Sequence, residues 1–277
     1  MAYTAWIDGN GTLRQRLGEL QSGAVNGIWA RIFGGKLGGD EFTNKYKTYQ
    51  LGYDAQAGEW RVGAAYEYSD GSLNYTSGSG ENKIGAVSLY GTLQGKDNSA
   101  LDIVVKRGRI YGDMDIYGKY SDQGDYSTDA TSIGVEYSKR FDGGNNVYFE
   151  PQAQLTFGRI DGYDYVSAKG IRVAYDDINS LIGRLGIVAG KAFSRGDVYV
   201  KASLLHEFSG DSSVTMLAAN GESYMEDQDY GDTWLEVGIG GNITLGKNCE
   251  LYGDIERSFG GDVTKNWGAN VGFRYSF

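Results

Sequence analysis

The 277-residue chain has one cysteine, one proline and one histidine. A single Cys249 cannot form an intramolecular disulfide, so no disulfide framework holds the fold, and cysteine usage says little about compartment. With one proline, Pro151, no Pro/Ser-rich linker divides the sequence. The lone His206 leaves a single candidate for any Ser–His chemistry. Long apolar runs are missing as well: nothing approaches the ~20 residues of a membrane helix, and mean hydropathy is −0.42. That excludes helical spans but not strands, because a barrel strand shows lipid only every second residue. A basic surplus is absent, since the net charge is −10, which argues against a nucleic-acid partner. The N-terminus, MAYTAWIDGN, has neither a basic n-region nor an apolar h-region. No signal peptide is expected there, and a barrel lacking one would be a fragment, with Met1–Ala2 an added start.

Glycine (44) and tyrosine (22, against 10 phenylalanines) are plentiful instead. Glycine well above its usual ~7% serves turns, bulges and barrel corners. Tyrosine serves the interfacial girdles of membrane barrels. The length allows one or two domains, and the composition favours one large β unit.

The last eleven residues alternate apolar Trp267, Ala269, Val271, Phe273, Tyr275 and Phe277 with Gly268, Asn270, Gly272, Arg274 and Ser276. Period two puts one set on each face of a strand, and the length suits a tilted strand crossing a bilayer. From Gly27 onward the same pattern predicts about twelve strands. They start near Ile28, Asn44, Trp60, Lys83, Leu101, Thr131, Asn146, Leu181, Asp197, Trp234, Cys249 and Trp267. Short connections at 54–60, 141–146 and 193–197 alternate with longer ones expected at 69–82, 111–129, 161–180 and 209–232. Membrane barrels alternate short periplasmic turns and long extracellular loops in this way.

Periodicity also assigns faces. In NVYFEPQAQLTFG, Val147, Phe149, Pro151, Ala153, Leu155 and Phe157 oppose Tyr148, Glu150, Gln152, Gln154 and Thr156. Elsewhere Asp102 and Lys106, Glu136 and Ser138, Arg61 and Glu67, and Arg184 oppose apolar neighbours. A β-sandwich would hide the apolar face; about twelve apolar faces around a charge-bearing set fit a lipid-facing barrel better.

The N-terminal segment differs. Leu13, Leu17 and Leu20 recur at helical spacing, Thr12 and Gln15 resemble a capping box, and Gly23 stands where a C-terminal cap belongs. One helix of about ten residues is expected.

With that helix, NGIWARIFGG (26–35), FEPQAQLTFG (149–158), SLIGRLGIVAGKAF (180–193) and the terminal GFRYSF, the chain resembles the translocator domain of the autotransporters, the type V secretion family. The likeness spans nearly the whole chain, in order and spacing. It implies a twelve-stranded barrel in the bacterial outer membrane, with a helix threading the lumen and a passenger N-terminal to that helix carried to the cell surface. Phe273, Tyr275 and Phe277 on the closing strand would be read by the outer-membrane barrel assembly machinery. The helix, carrying Leu13, Arg14, Arg16, Leu17 and Leu20, would be roughly 15 Å long, shorter than a ~25 Å barrel band. Arg14 and Arg16 would face lumenal carboxylates such as Glu67, Asp102 and Glu136. Arg61, Glu150, Arg184 and Arg274 would also line the lumen, and small inward residues (Gly63, Ala65, Gly134, Gly186, Gly268, Gly272) would let the helix approach the wall.

Some members of this family cut off their passenger inside the barrel, using lumenal acids on a junction Asn. The matching positions here are Asp102, Glu136 and Gln154, the last an amide that cannot serve as general acid or base. The junction aligns at Gly11–Thr12, with Asn10 adjacent, rather than on an Asn pair. No efficient self-cleavage is expected, which leaves Asp102 and Glu136 as structural lumen charges. His206 shares parity with outward Val200, Ala202 and Leu204 and has no partner Ser in a recognisable motif. DMDIYG (113–118) fails as a calcium loop at positions five and twelve, Tyr117 and Gly124. GKLGG and GIGGN lack the following helix of a nucleotide loop.

The expected fold is all-β: an antiparallel transmembrane barrel of about twelve strands with a short N-terminal helix in its lumen. Residues 1–25 are the linker and lumenal helix at the passenger junction, and 26–277 the barrel. Outer-membrane lipid, the passenger and the assembly machinery are the expected partners of a monomer, with no cofactor, metal or nucleic acid. A channel-like barrel, which needs no interior helix, is the rival; an outer-membrane hydrolase and a soluble β-protein follow.

Overall fold

A computed structural model of the chain describes residues 3, 6, 7, 9, 11–17, 26–39, 42–119 and 121–277. The helix α1 (Leu13–Leu17) precedes all the strands. These run β1 (Gly27–Gly38), β2 (Phe42–Ala57), β3 (Trp60–Tyr75), β4 (Gly78–Gln94), β5 (Ser99–Ile116) and β6 (Asp122–Lys139). A two-residue β7 (Phe141–Asp142) follows, then β8 (Val147–Ile160), β9 (Tyr163–Val166), β10 (Arg172–Tyr175), β11 (Ile178–Phe193) and β12 (Gly196–Glu207). The chain continues through β13 (Ser212–Leu217), β14 (Ser223–Gln228), β15 (Asp232–Leu245), β16 (Cys249–Phe259) and β17 (Thr264–Ser276).

Twelve of these strands, β1 to β6, β8, β11, β12 and β15 to β17, pair antiparallel in sequence order, and β17 pairs with β1 to close the ring. Closure removes the edges that would leave backbone groups unpaired in lipid. The even count therefore holds, and ten of the expected strand starts fall within about three residues of the observed ones; Lys83 and Thr131 instead lie inside β4, which begins at Gly78, and β6, which begins at Asp122. On β8, Val147, Phe149, Leu155 and Phe157 are exposed while Tyr148, Glu150, Gln152 and Thr156 are buried, so the charge-bearing set faces the lumen.

The sequence reading fails on the long connections. Residues 69–82 and 111–129, expected as loops, are mostly strand: β3 and β4 meet through Thr76–Ser77 alone, and β5 and β6 pair as far as Ile116 and Asp122. Above the membrane both faces of a strand meet water, so the apolar alternation that marks a strand disappears while the backbone ladder continues. DMDIYG accordingly begins in β5 rather than in an ion-binding loop. Residues 161–180 and 209–232 contribute a second, four-stranded sheet in the order β14-β13-β10-β9.

Aromatic rings inside the barrel lie over glycines directly opposite on the next strand. Tyr90 faces Gly63, Tyr148 faces Gly190, Tyr199 faces Gly240 and Tyr252 faces Gly272. A Cβ on Gly63 would fall 2.3 Å from the Tyr90 ring, and one on Gly272 would fall 2.1 Å from that of Tyr252. Both glycines were expected to make room for the helix. They make room for rings instead, and the rings in turn reach the helix. The Cβ positions of Gly134, Gly186 and Gly268 likewise meet wall side chains rather than α1.

Inside the β1–β17 seam, Arg274 binds Asp54 of β2 with both terminal guanidinium nitrogens, at 2.8 and 2.5 Å. Tyr90 donates to the same carboxylate at 3.0 Å and accepts from the Trp29 indole at 2.7 Å. Arg31 of β1 donates to Asn270 of β17 at 2.5 Å.

Candidate functional site

The lumen is filled by the chain's own N-terminal segment. Thr12 and Gln15 form the expected capping box: the Thr12 amide donates to Gln15 Oε1 at 3.0 Å, and the Gln15 amide donates to Thr12 Oγ1 at 3.3 Å. This arrangement satisfies two amides that the start of a helix leaves unpaired. The Leu13 amide donates to Glu136 at 3.0 Å. Of the predicted helix, Leu20 and Gly23 lie outside the described residues, as does the side chain of Leu17.

Strands from all round the barrel hold α1. Arg14 pairs with Glu150 at 3.0 Å and Asp197 at 3.2 Å, with the Tyr199 ring 4.8 Å from its guanidinium. Arg16 pairs with Asp102 at 2.5 Å over the Tyr90 ring at 4.8 Å. Gln15 donates to Glu256 at 2.9 Å. Tyr252 donates to the Arg16 carbonyl at 2.6 Å. Leu13 packs in a pocket of Trp29, Ala65, Tyr90 and Ala100. Buried cations meeting buried carboxylates with further hydrogen bonds avoid the large cost of unpaired charge. Asp102 thus meets Arg16 as anticipated, whereas Glu67 does not meet either arginine. It lies higher, 3.8 Å from Lys106, and accepts from Gln50. Arg61 is buried and points inward. Arg274 serves the seam and not the helix.

Above α1 the segment continues toward the end carrying the long hairpins. Trp6 is fully buried among Ile84, Ile110, Ala130, Ile160 and Ile178, with Lys106 Nζ 4.1 Å from its ring centre. Tyr3 donates to Glu207 at the far end of β12 and stacks on Tyr230 at 4.5 Å. Glu207, which also accepts from Ser180 at 2.5 Å and from the Leu181 amide at 2.7 Å, was missed in the sequence; only its inward parity on β12 hinted at it. Along the wall that runs from β8 through β11, β12 and β15 to β17 to β1, the segment leaves a crevice of about 190 Å³. Its wall carries an ion chain in which Glu256 binds Lys201 at 2.7 Å and Lys265 at 2.5 Å.

The three positions matched to self-cleavage converge on residues 11–16. Gln154 donates to the Gly11 carbonyl at 3.1 Å, Glu136 accepts from Leu13, and Asp102 accepts from Arg16 and, at 2.6 Å, from Thr92. Arg184 donates to Gln154 at 2.8 Å and pairs with Glu136 at 3.2 Å. Each carboxylate is thus bound to a cation. His206 lies on the outer face against Phe208 and bonds Thr233 at 2.7 Å.

A closed barrel with an apolar exterior and a polar lumen occupied by its own N-terminal segment is a transmembrane β-barrel plugged by its own chain. The sequence matches the family described as autotransporter beta-domain over residues 28–256. The chain belongs to that family: it is an autotransporter translocator domain, a type V secretion barrel of the outer membrane. It is 30% identical over 295 residues to the pertactin autotransporter of Bordetella parapertussis, covering 100% of this chain and 32% of that protein. To the BrkA autotransporter of Bordetella pertussis it is 29% identical, covering 96% of this chain and 28% of that protein. The solved beta domain of the Bordetella autotransporter BrkA superposes with a TM-score of 0.75 at 26% identity, covering 91% of this chain and 100% of that one. The translocator domain of NalP from Neisseria meningitidis gives a TM-score of 0.78 at 14% identity, covering 100% and 97%, which bears on the fold alone. The chain spans about a third or less of the length of these curated relatives. The channel and hydrolase readings are not favoured.

Proposed function

We propose that residues 1–25 are the junction to a passenger delivered at the cell surface, and that 26–277 form the pore, which the segment then plugs without cutting itself. The run of the N-terminal segment carries this reading. Tyr3 sits with Glu207 and Tyr230 at the long-hairpin end, while Gly27 pairs with Ser276 at the short-turn end. A chain continuing before residue 3 would therefore leave on the extracellular side. The outward aromatics Phe273 and Tyr275 on the strand that closes the ring, and Phe277 directly after it, suit recognition by the assembly machinery, and the pore sits within one barrel, so a monomer suffices.

Against self-cleavage stand the chemistry and pairing at the junction. A backbone cut needs a group that takes a proton and a nucleophile aimed at a carbonyl. Gln154 supplies neither; it donates to the Gly11 carbonyl while Arg184 and Arg16 neutralise Glu136 and Asp102. The test expresses the full-length precursor with a tagged passenger in Gram-negative cells and probes intact cells with external protease. Removal of the tag from an otherwise uncut precursor is the expected result. Gln154→Glu alone is expected to yield no new N-terminal fragment, because Arg184 would pair with the new carboxylate. A tag protected on intact cells that contain folded barrel would refute translocation. A fragment cut near Gly11 in the unmodified chain would refute the uncut plug.

A further inference from the structure

The outer face carries an asymmetric charge pattern that translocation does not use. Toward the long-hairpin end, the outward positions of β1, β2, β4 and β5 are Lys36, Lys45, Lys47, Lys83, Arg107 and Arg109. Arg107 and Arg109 are more than half exposed at the side chain, and Lys83 nearly so. Lys36 stands directly opposite Lys45, an arrangement of like charges that destabilises a strand pair. Among the described residues three carboxylates pair with or stand opposite these six cations, and Asp113 and Asp125 lie on the same outward face in the row of Glu81, further toward the hairpin tips. Asp129 serves both Arg107 (3.3 Å) and Arg109 (2.9 Å), Glu81 takes Lys83 at 3.3 Å, and Asp70 stands opposite both Lys47 and Lys83. At the depth of Lys47, Lys83, Arg107 and Arg109, where only Asp70 and Asp129 oppose them among the described residues, the arc therefore holds excess positive charge on a chain whose net charge is −10. It ends at β8, where Arg159 is matched by Asp161 and Asp177. Around the other side, the outward positions near the rim include Leu181, His206, Thr233 and Trp267, with Arg257 the one cation named there.

Depth fixes what the arc can touch. Two residues below Lys47 on β2 is Tyr49, whose cross-strand partner is Tyr68, with Tyr66 beyond it, all exposed. Such a tier marks the membrane–water boundary. Below it Leu51, Val87 and Leu89 face lipid, each at least 60% exposed. Lys47 and Lys83, both opposite Asp70, and Lys45 above them thus stand at the level of the outer-leaflet headgroups, and Arg109 and Arg107, opposite Gly85 and Val87, reach up to it from the boundary tier. Arginine forks match phosphate oxygens bidentately and lysines add point charge, and clusters of such residues beside a membrane read as sites for anionic headgroups.

We propose that this arc, from β1 to β5, binds the phosphates of an anionic glycolipid of the outer leaflet. Phosphate oxygens placed between Lys36 and Lys45 and beside the Arg107–Arg109 pair neutralise charge that Asp129, Glu81 and Asp70 leave over. The barrel is thereby clasped by lipid on one side only, the half that does not contain the β11 to β17 wall.

The test measures binding of bisphosphorylated lipid A, and of the same lipid stripped of phosphate, to the refolded barrel in non-ionic micelles by native mass spectrometry. Folding of every variant is checked by heat-modifiable mobility on gels. The phosphorylated lipid is expected to bind at least about ten-fold tighter, the value of one hydrogen bond to a charged group. Lys45→Gln with Lys47→Gln, and separately Arg107→Gln with Arg109→Gln, each lower that preference, and Arg257→Gln leaves it unchanged. Using the two pairs rather than all four changes together guards against a barrel that fails to fold. Equal affinity for the two lipids, or an unchanged preference in both pairs, overturns the proposal. So does full competition by millimolar inorganic phosphate, which would make the ligand a free anion rather than a headgroup.

Discussion

Replacing Asp102 by leucine should unseat the helix, and the size of the effect follows from the contacts around it. Arg16 and Asp102 are both buried and 2.5 Å apart. Removing one partner of a buried pair costs about 3–5 kcal/mol, because the remaining charge is left uncompensated. Two features hold the cost to the low end: the Tyr90 ring beneath the guanidinium and a small cavity of about 20 Å³ lined by Arg16 and Asp102, room enough for one water. At about 3 kcal/mol, and with tenfold for every 1.4 kcal/mol, the ratio of unseated to seated helix rises about a hundredfold. Arg16→Met together with Asp102→Leu removes both charges and should return most of the loss, since apolar replacement of a buried pair is often neutral. Ion conductance in planar bilayers reads the unseated fraction directly, as the share of time each pore is open. The single variant should open far more often than the unmodified barrel, and the double variant should close again. If the single variant conducts no more than the unmodified barrel, the pair does not hold the plug. If the double variant conducts like the single one, the loss came from shape and not from unpaired charge.

Other substitutions probe the wall. Gly272→Ala drives a methyl into the Tyr252 ring and should break that ring's hydrogen bond to Arg16; a loss of about 1–3 kcal/mol, typical of overpacking, would be measured as a lower urea midpoint in micelles. Asp54→Asn leaves Arg274 half-satisfied at the seam and should cost about 3 kcal/mol or more. Arg274→Lys should not substitute for the original, because an ammonium cannot span both carboxylate oxygens; loss of heat-resistant mobility on gels would register both. Leu185→Lys puts charge on the lipid face of β11, where Leu185 is 68% exposed. It should cost about 2–4 kcal/mol in reversible unfolding from vesicles, and no loss there would place that face away from lipid.

The parts legible in the sequence were those fixed by local period. Alternation within one strand reports which side chains share a face, so the twelve strands, the outward set of β8 and the inward Asp102, Glu136 and Arg184 could be read from the chain. The capping box was equally local, three residues long. The parts that could not be read depend on register between strands. Parity puts Glu67 and Asp102 on the same lumenal face, but only their height decides that Lys106 meets one and Arg16 the other. The glycine at 272 serves a ring because Tyr252 falls directly opposite it, and nothing in either strand alone reports that pairing. The hairpins at 69–82 and 111–129 were hidden for a different reason: outside the bilayer neither face is apolar, so no period marks the ladder.

The helix is joined to the barrel by its own chain, and eight residues (18–25) separate Leu17 from Asn26. A link of that length reaches at most about 30 Å, comparable to the height of the barrel, so an unseated helix stays close to the pore. Its return is an intramolecular event at an effective concentration in the millimolar range or above. A seat too weak to capture the same helix as a free peptide at micromolar concentration would still be occupied almost all the time. Leaving the helix uncut on its β1 side thus sets how tightly the pore is closed, independently of any one ion pair, and it makes each opening brief.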